Sequence, residues 1–175
     1  MLVPTIDTER LRLRPYVLGD VPELARLIGA REVAESLLRV PYPYTEYDAR
    51  NFIVSMRESG EARFAINLAK EQNLIGGMGL RIHPEHPRAE LGYWLGAPYW
   101  RHGYATEASR AVVEYGFETL GLHRISASAF RENVASAKVL QKIGMLHEGC
   151  LREHVLKWGR FIDLEIYGIL RSEWK

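Results

Sequence analysis

Two hydrophobic periods share this chain, and the order in which they alternate constrains its fold more than any other feature. Charged and apolar residues alternate in Arg10-Leu11-Arg12-Leu13-Arg14, the period of a half-buried strand, and Pro15 closes it. The period then lengthens. Asp20 is placed to cap a helix with the apolar stripe Val21, Leu24, Ala25 and Ile28, and Gly29 is placed to stop it. A second helix opens at Thr45, with Asp48 three residues on, and carries Ala49, Phe52, Ile53 and Met56 before Gly60. Between these helices, residues 37–44 are rich in Leu, Pro and Tyr and predict an irregular connection.

Three strands in meander spacing are expected next. Phe64, Ile66 and Leu68 alternate with smaller or polar residues, a turn at Glu71-Gln72-Asn73 leads to 74–82, and Pro84 and Pro87 interrupt before 89–95. Pro98-Tyr99-Trp100-Arg101-His102-Gly103 then opens a helix with the apolar face Ala108, Ala111, Val112 and Tyr115. A strand at 124–130, a helix at 133–143 and strands at 151–158 and 160–170, joined as a hairpin at Trp158-Gly159, complete the chain. The order β-α-α-β-β-β-α-β-α-β-β is neither strictly alternating nor segregated. It predicts the α/β (α+β) class, with a mixed central sheet and helices on both faces. No stretch of 1–175 reads as a linker, and a chain of 175 residues is long enough for one sizeable core, so a single domain is expected.

The segment richest in chemistry is Trp100-Arg101-His102-Gly103-Tyr104-Ala105-Thr106-Glu107-Ala108, a loop that runs directly into a helix. Free backbone N–H groups at a helix start, with the positive end of the helix dipole behind them, make a site for phosphate. Gly103 lets the backbone approach a ligand, Ala105 is similarly small, and Arg101 adds a cation. The same glycine also fits an ordinary tight turn before a helix. Neither Gly-Lys-Ser/Thr nor Gly-x-Gly-x-x-Gly occurs here, which disfavours an ATPase and a dehydrogenase. A net charge of +1 argues against broad nucleic-acid binding. One cysteine, Cys150, excludes an internal disulfide and suits a reducing compartment. No apolar run reaches the length of a membrane span, and the N-terminus lacks the layout of a signal peptide, so a cytoplasmic location without membrane partners is expected.

From strand to helix, Glu90-Leu91-Gly92-Tyr93-Trp94-Leu95 followed by Tyr99 to Ala108 resembles the acetyl-CoA motif of the GNAT superfamily of N-acetyltransferases. It is most similar to the Rim-type branch, the ribosomal-protein alanine N-acetyltransferases. Thr8-Glu9-Arg10-Leu11-Arg12-Leu13-Arg14-Pro15 resembles that branch's opening strand, and Asn133 to Met145 resembles its second cofactor motif. Phe161-Ile162-Asp163 with Tyr167, Leu170 and Ser172-Glu173-Trp174 resembles its closing strand. Two positions depart from the pattern. Trp100 replaces the Gln or Arg of the wider superfamily, though Trp is usual in this branch. Arg101 stands where the branch more often has Gly, and its side chain could crowd a pyrophosphate or add a contact to it.

The resemblance implies transfer of acetyl from acetyl-CoA, the cosubstrate, to a primary amine. It also implies a splayed pair of parallel strands, 89–95 and 124–130, that receives the pantetheine arm. Backbone groups of Trp94, Leu95 and Gly96 are the expected contacts to that arm, with Arg101, His102, Gly103, Tyr104, Ala105 and Thr106 around the pyrophosphate. Asn133 and Ser136 would touch the arm, with Ser136 donating to the departing thiolate, although both also fit the capping turn of a helix. Lys138 and Lys142 suit the 3′-phosphate, or are solvated surface charges. Glu90 is the leading candidate for the base that frees the amine, on a strand face shared with Gly92 and Trp94, and equally reads as a surface carboxylate. Glu153 and His154 are the runners-up, because the glutamate proposed as base in the ribosomal branch aligns here with Val155.

Other residues carry weaker signals. His83-Pro84-Glu85-His86 reads as a polar turn rather than a metal site, and Cys150 as a packing thiol. In the last strand Asp163, Glu165 and Tyr167 share one face and Ile162, Leu164 and Ile166 the other. The acceptor expected from the resemblance is a peptide or protein N-terminal α-amine. Alternatives are a polyamine or antibiotic, and a non-catalytic acyl-CoA sensor. The chain reads equally as a monomer or a homodimer.

Overall fold

The computed structural model describes residues 3–56, 60–71 and 73–175, so Gln72 of the expected turn lies outside them. Strand β1 (Ile6–Asp7) pairs with β2 (Leu11–Arg14), and helices α1 (Val21–Ile28), α2 (Arg31–Glu35) and α3 (Glu46–Ser55) follow. The meander is β3 (Ala62–Leu68), β4 (Leu74–His83) and β5 (Arg88–Leu95). Helix α4 (Tyr104–Glu114) continues into a π-helical turn at Tyr115–Thr119. Then come β6 (Arg124–Phe130), α5 (Val134–Lys142), β7 (Leu146–Lys157) and β8 (Arg160–Leu170). All strands join one eight-stranded sheet in the order β1-β2-β3-β4-β5-β6-β8-β7.

Strand alternation sorts the core into two layers. Leu11, Leu13, Phe64 and Ile66 point to the face covered by α4 and α5, where Ala108, Val112, Val113 and Leu140 meet them. Ala65 and Leu74 point the other way, against Val21, Leu24 and Ile28 of α1 and Ala49 and Ile53 of α3. The expected helices thus lie on both faces, each anchored by the apolar stripe read from its sequence.

Two local expectations change, and one short helix is added. Asp20 does not cap α1 with its side chain. Its carboxylate instead accepts from Arg14 Nη1 and Nη2 at 2.8 and 2.7 Å and from the Val17 N–H at 2.9 Å, fixing the turn before the helix. The short α2 lies in a stretch where no element was expected, and residues 37–44 beyond it are irregular, as predicted. The penultimate strand begins at Leu146 rather than at residue 151, because register shifts at His147/Gly149 and Leu151/Val155 break the alternation that would reveal it. Thr45 and Asp48 do form the expected capping box, with Asp48 N donating to Thr45 Oγ1 at 3.3 Å and Thr45 N to Asp48 Oδ2 at 2.9 Å.

The sheet's only parallel pair among the described residues is β5/β6, and it is short. Arg88, Ala89 and Glu90 pair with Arg124, Ile125 and Ser126, and beyond them the two strands part. From Ser126 onward β6 stays paired with β8, so the opening lies between β5 and β6 alone.

Candidate active site

The opening presents different chemistry on each face. Ala89, Leu91, Tyr93 and Leu95 face α4 and α5, whereas Trp94, and by alternation Glu90 and Gly92, face α1–α3. Glu90 therefore stands at the vertex where the strands separate. Its carboxylate pairs with Arg81, its cross-strand neighbour on β4, and accepts from Ser128 Oγ at 3.3 Å. Gly92, one step along the same face, borders open space.

Ladder alternation assigns the backbone. Gly96 N–H donates to Ile75 O at 2.9 Å, so alternate residues of β5, Gly96 and Trp94, turn their backbone groups toward β4. The backbone of Tyr93 and Leu95 turns toward the opening, and there the Leu95 carbonyl already accepts from Trp100 Nε1 at 2.8 Å. Of the three backbone positions expected to hold an arm, only Leu95 points its N–H into the gap, and Tyr93 joins it. Trp94 contributes instead through its indole, hydrogen-bonded to the Tyr16 hydroxyl. A Cβ at Gly77 would overlap that hydroxyl, so glycine is needed beneath it.

At the start of α4 no side chain caps the helix, and Gly103 holds a φ of 82°. In helix geometry the first-turn N–H groups of Tyr104, Ala105 and Thr106 have no intrahelical partner. Arg101 is also left-handed, at φ 65°, where glycine is favoured. An L-residue there costs on the order of 1 kcal/mol, and the exposed guanidinium beside the loop is what Arg gains over Gly. The loop is clamped from the opening strand. Arg10 Nη1 donates to the His102 carbonyl at 2.9 Å and Arg10 Nε to Glu107 Oε2 at 2.7 Å. Thr8 Oγ1 donates to Glu107 Oε1 at 2.7 Å, and the Arg10 guanidinium lies 4.9 Å from the centre of the Tyr104 ring. Burial works to raise the Glu107 pKa, but the bonds from Thr8 and Arg10 hold it below the ordinary glutamate value. This clamp was not read from the sequence, although Thr8 and Arg10 lie in the opening motif.

At the start of α5, Asn133 accepts from the Ser136 N–H at 3.0 Å and is the N-cap. Ser136 Oγ lies 2.7 Å from the Tyr93 hydroxyl. Burial pushes the Tyr93 phenol up to about 12 despite the bond to Ser136. Tyr93 was missed as well, though alternation alone separates it from the Glu90 face. Lys138 is exposed one turn into α5. Lys142 is at the far end of the helix, where its carbonyl accepts from Arg110 Nη2 at 2.9 Å.

The runners-up for the base lie elsewhere. Glu153 and His154 sit on the bulge of β7, the edge strand, and β8 and β6 separate that strand from the opening. Glu153 has a φ of 49°, and its N–H donates to Asp163 Oδ1 at 2.8 Å. Tyr167, open between core and site in the sequence, is buried in the core under α4 and α5.

On the α1–α3 face, the 37–44 connection meets the tip of the β7–β8 hairpin. Lys157 is only 6% exposed, and its Nζ donates to the Leu37 and Val40 carbonyls at 2.6 and 3.1 Å. Desolvation lowers its pKa from the ordinary lysine value. Tyr42 and Trp158 rings lie 5.4 Å apart, and the Arg31 guanidinium is 5.9 Å from the Trp158 ring.

An uncapped helix start beside a half-open parallel strand pair offers free backbone groups to an extended, phosphate-bearing ligand. Comparison with known proteins gives the class its name. The acetyltransferase (GNAT) domain model matches residues 10–146. The N-acetyltransferase p20 of Bacillus licheniformis, itself uncharacterised, is 35% identical over 97% of this chain and 98% of its own length. The ribosomal-protein-serine acetyltransferase of Escherichia coli is 26% identical over 91% of this chain and 92% of its own. The crystal structure of spermidine N-acetyltransferase from Vibrio cholerae, in complex with CoA and spermine, superposes with a TM-score of 0.84 at 25% identity, covering 95% of this chain and 98% of that one. The chain belongs to the GNAT acetyltransferase family, in keeping with the Rim-type branch, and is an acetyl-CoA-dependent N-acetyltransferase. Among the described residues no helix is long and apolar enough to cross a membrane.

Proposed function

We propose that the protein acetylates a peptide or protein N-terminal α-amine, with acetyl-CoA on the α4/α5 face and the amine on the α1–α3 face. The uncapped amides of Tyr104, Ala105 and Thr106 and the left-handed Gly103 fit a pyrophosphate, with Arg101 and His102 beside it. The gap-facing backbone of Tyr93 and Leu95 fits an amide-bearing arm, as an added strand would. Acetyl-CoA supplies the activated acyl group as a thioester. Ser136 then lies where a hydroxyl can donate to the departing sulfur, and Lys138 outweighs Lys142 as a partner for the 3′-phosphate.

Glu90 is the group placed to take the amine proton, directly or through water, from the opposite face at the vertex. An α-amine has a pKa near 7.7–8.0, so a sizeable share is already neutral near neutrality and modest help from the base suffices.

The observation that carries the acceptor class is the wall formed by residues 37–44 and the hairpin tip. It presents Leu38, Tyr42 and Trp158, with the exposed cation Arg31 beside Trp158. Aromatic rings suit an extended peptide, whereas an exposed arginine is unfavourable to a polycation. Competition between Ala- or Ser-initiated peptides and spermine for acetyl from acetyl-CoA tests this, with products identified by mass spectrometry. Peptides are expected to react faster. Turnover of spermine with no peptide product would assign a small-amine acceptor and leave the acetyltransferase activity intact.

A further inference from the structure

The Tyr93 side chain has no part in the transfer scheme above, yet its hydroxyl is the group nearest to Ser136 Oγ among the hydrogen-bond partners described, at 2.7 Å. The contact crosses from the unpaired half of β5 to the first turn of α5, so it bridges the place where the thioester would lie. Residue 136 is also fixed from its own helix, through the N–H held by Asn133 at 3.0 Å. The geometry points to Tyr93 as a positioning residue that acts through Ser136: the phenol donates to Ser136 Oγ and leaves the serine proton free to face the departing sulfur. This rests on the acetyl-transfer reading and deepens it.

The direction of the bond follows from the chemistry of the two hydroxyls. A phenol is the stronger acid and an aliphatic alcohol the better acceptor, so the shorter contact runs from Tyr93 to Ser136. The opposite arrangement would send the phenol proton to the Ser136 carbonyl, which is 3.3 Å away and also accepts from its own helix. A hydroxyl that accepts one hydrogen bond becomes a better donor of the next, so the pair strengthens as charge builds on sulfur.

In the transfer the amine nitrogen bonds the acetyl carbon, the carbon–sulfur bond breaks, and the electron pair stays on sulfur. Ser136 donates a hydrogen bond to that thiolate. Tyr93 keeps its own proton throughout, in line with a phenol that burial holds at about 12. The proton lost by the amine leaves on the other face, toward Glu90 or water.

The test compares Tyr93→Phe, Ser136→Ala and the double variant by steady-state kinetics with a saturating peptide acceptor, and titrates the thiol of bound CoA by its thiolate absorbance. Tyr93→Phe is expected to lower kcat about tenfold, the scale of one hydrogen bond to a charged group, with the KM for acetyl-CoA little changed. It should also raise the pKa of the bound CoA thiol toward the free value, and cost nothing further once Ser136 is Ala. Unchanged CoA affinity in Tyr93→Phe shows that the cofactor site is folded. Full rate in Tyr93→Phe, with Ser136→Ala slowed, would overturn the proposal and leave Ser136 in its role. An equal loss in both backgrounds would overturn it too, because Tyr93 would then act independently of Ser136. Full rate in Ser136→Ala would remove both residues from the chemistry while acetyl transfer stands.

Discussion

The two faces of the split sheet are held in different ways. On the α4/α5 face the Gly103 loop and Ser136 are each fixed by groups close by. Arg10, Thr8 and Glu107 clamp the loop at Gly103, Asn133 caps the turn carrying Ser136, and Tyr93 holds its hydroxyl. On the α1–α3 face the wall is a connection and a hairpin tip drawn together by one ammonium and a few ring contacts. Leu38, Tyr42 and Trp158 remain 40, 48 and 42% exposed there. The proposed cofactor face is thus densely hydrogen-bonded, and the proposed acceptor face is an exposed surface held by few contacts. Substitutions on the first face should therefore act on cofactor binding or on the chemical step, and those on the second on the acceptor alone.

Gly103→Val should have the largest effect. A β-branched residue is strained at a φ of 82°, and its side chain would stand in the pyrophosphate loop. Affinity for acetyl-CoA, measured by calorimetry, should fall roughly 30- to 100-fold, the equivalent of about 2–3 kcal/mol, in a protein that stays folded. Unchanged affinity would remove this loop from the cofactor site and break the comparison at its firmer end.

Glu90→Gln should come next. It keeps the size of the side chain and removes the proton acceptor, so kcat should fall about tenfold near neutrality and recover in part at higher pH, as more amine is neutral. A pH–rate profile identical to that of the unaltered protein would make Glu90 a structural partner of Arg81.

Lys157→Met strands the Leu37 and Val40 carbonyls and frees the connection from the hairpin. Unfolding free energy should drop by about 2 kcal/mol. The KM for a peptide should rise several-fold while acetyl-CoA affinity holds. A loss of cofactor affinity instead would show that the two faces are coupled.

The smallest effect is expected from the Glu107 clamp, and only in acid. Its folded pKa lies below the ordinary glutamate value, so the stability it contributes is fully present above that ordinary value and is lost as the pH falls through the lowered one. The Tm difference between the parent protein and Glu107→Gln should be constant from neutrality down to mild acid and shrink below it. A difference that shrinks already near neutrality would contradict the depressed pKa.

The same contrast decides what was legible in the sequence. The strand–loop–helix at Gly103 and the Asn133 cap are local patterns, each contained within a few residues, and they stand where the sequence put them. The clamp was not legible because Arg10 and Glu107 are 97 residues apart. Lys157 reaches Leu37 across 120 residues, and nothing in its own neighbourhood marks it as buried. β7 hid its first residues, 146–150, behind a register shift at His147/Gly149, which erases the alternation by which strands are recognised. That the backbone of Trp94 and Gly96 faces β4 rather than the opening was hidden for a related reason. Side-chain parity can be read from a sequence, but which neighbour a backbone group faces depends on the ladder, and the ladder turns those two residues toward β4.

The central claim is that cofactor and acceptor meet through the opening between β5 and β6 from opposite faces. A crystal structure with CoA bound tests it most directly. The account predicts the pyrophosphate on the amides of Tyr104–Thr106, the arm bonded to the backbone of Tyr93 and Leu95, and the sulfur within hydrogen-bond reach of Ser136 Oγ on the α4/α5 face. CoA lying on the α1–α3 face, or with its sulfur away from the opening and Ser136, would contradict it.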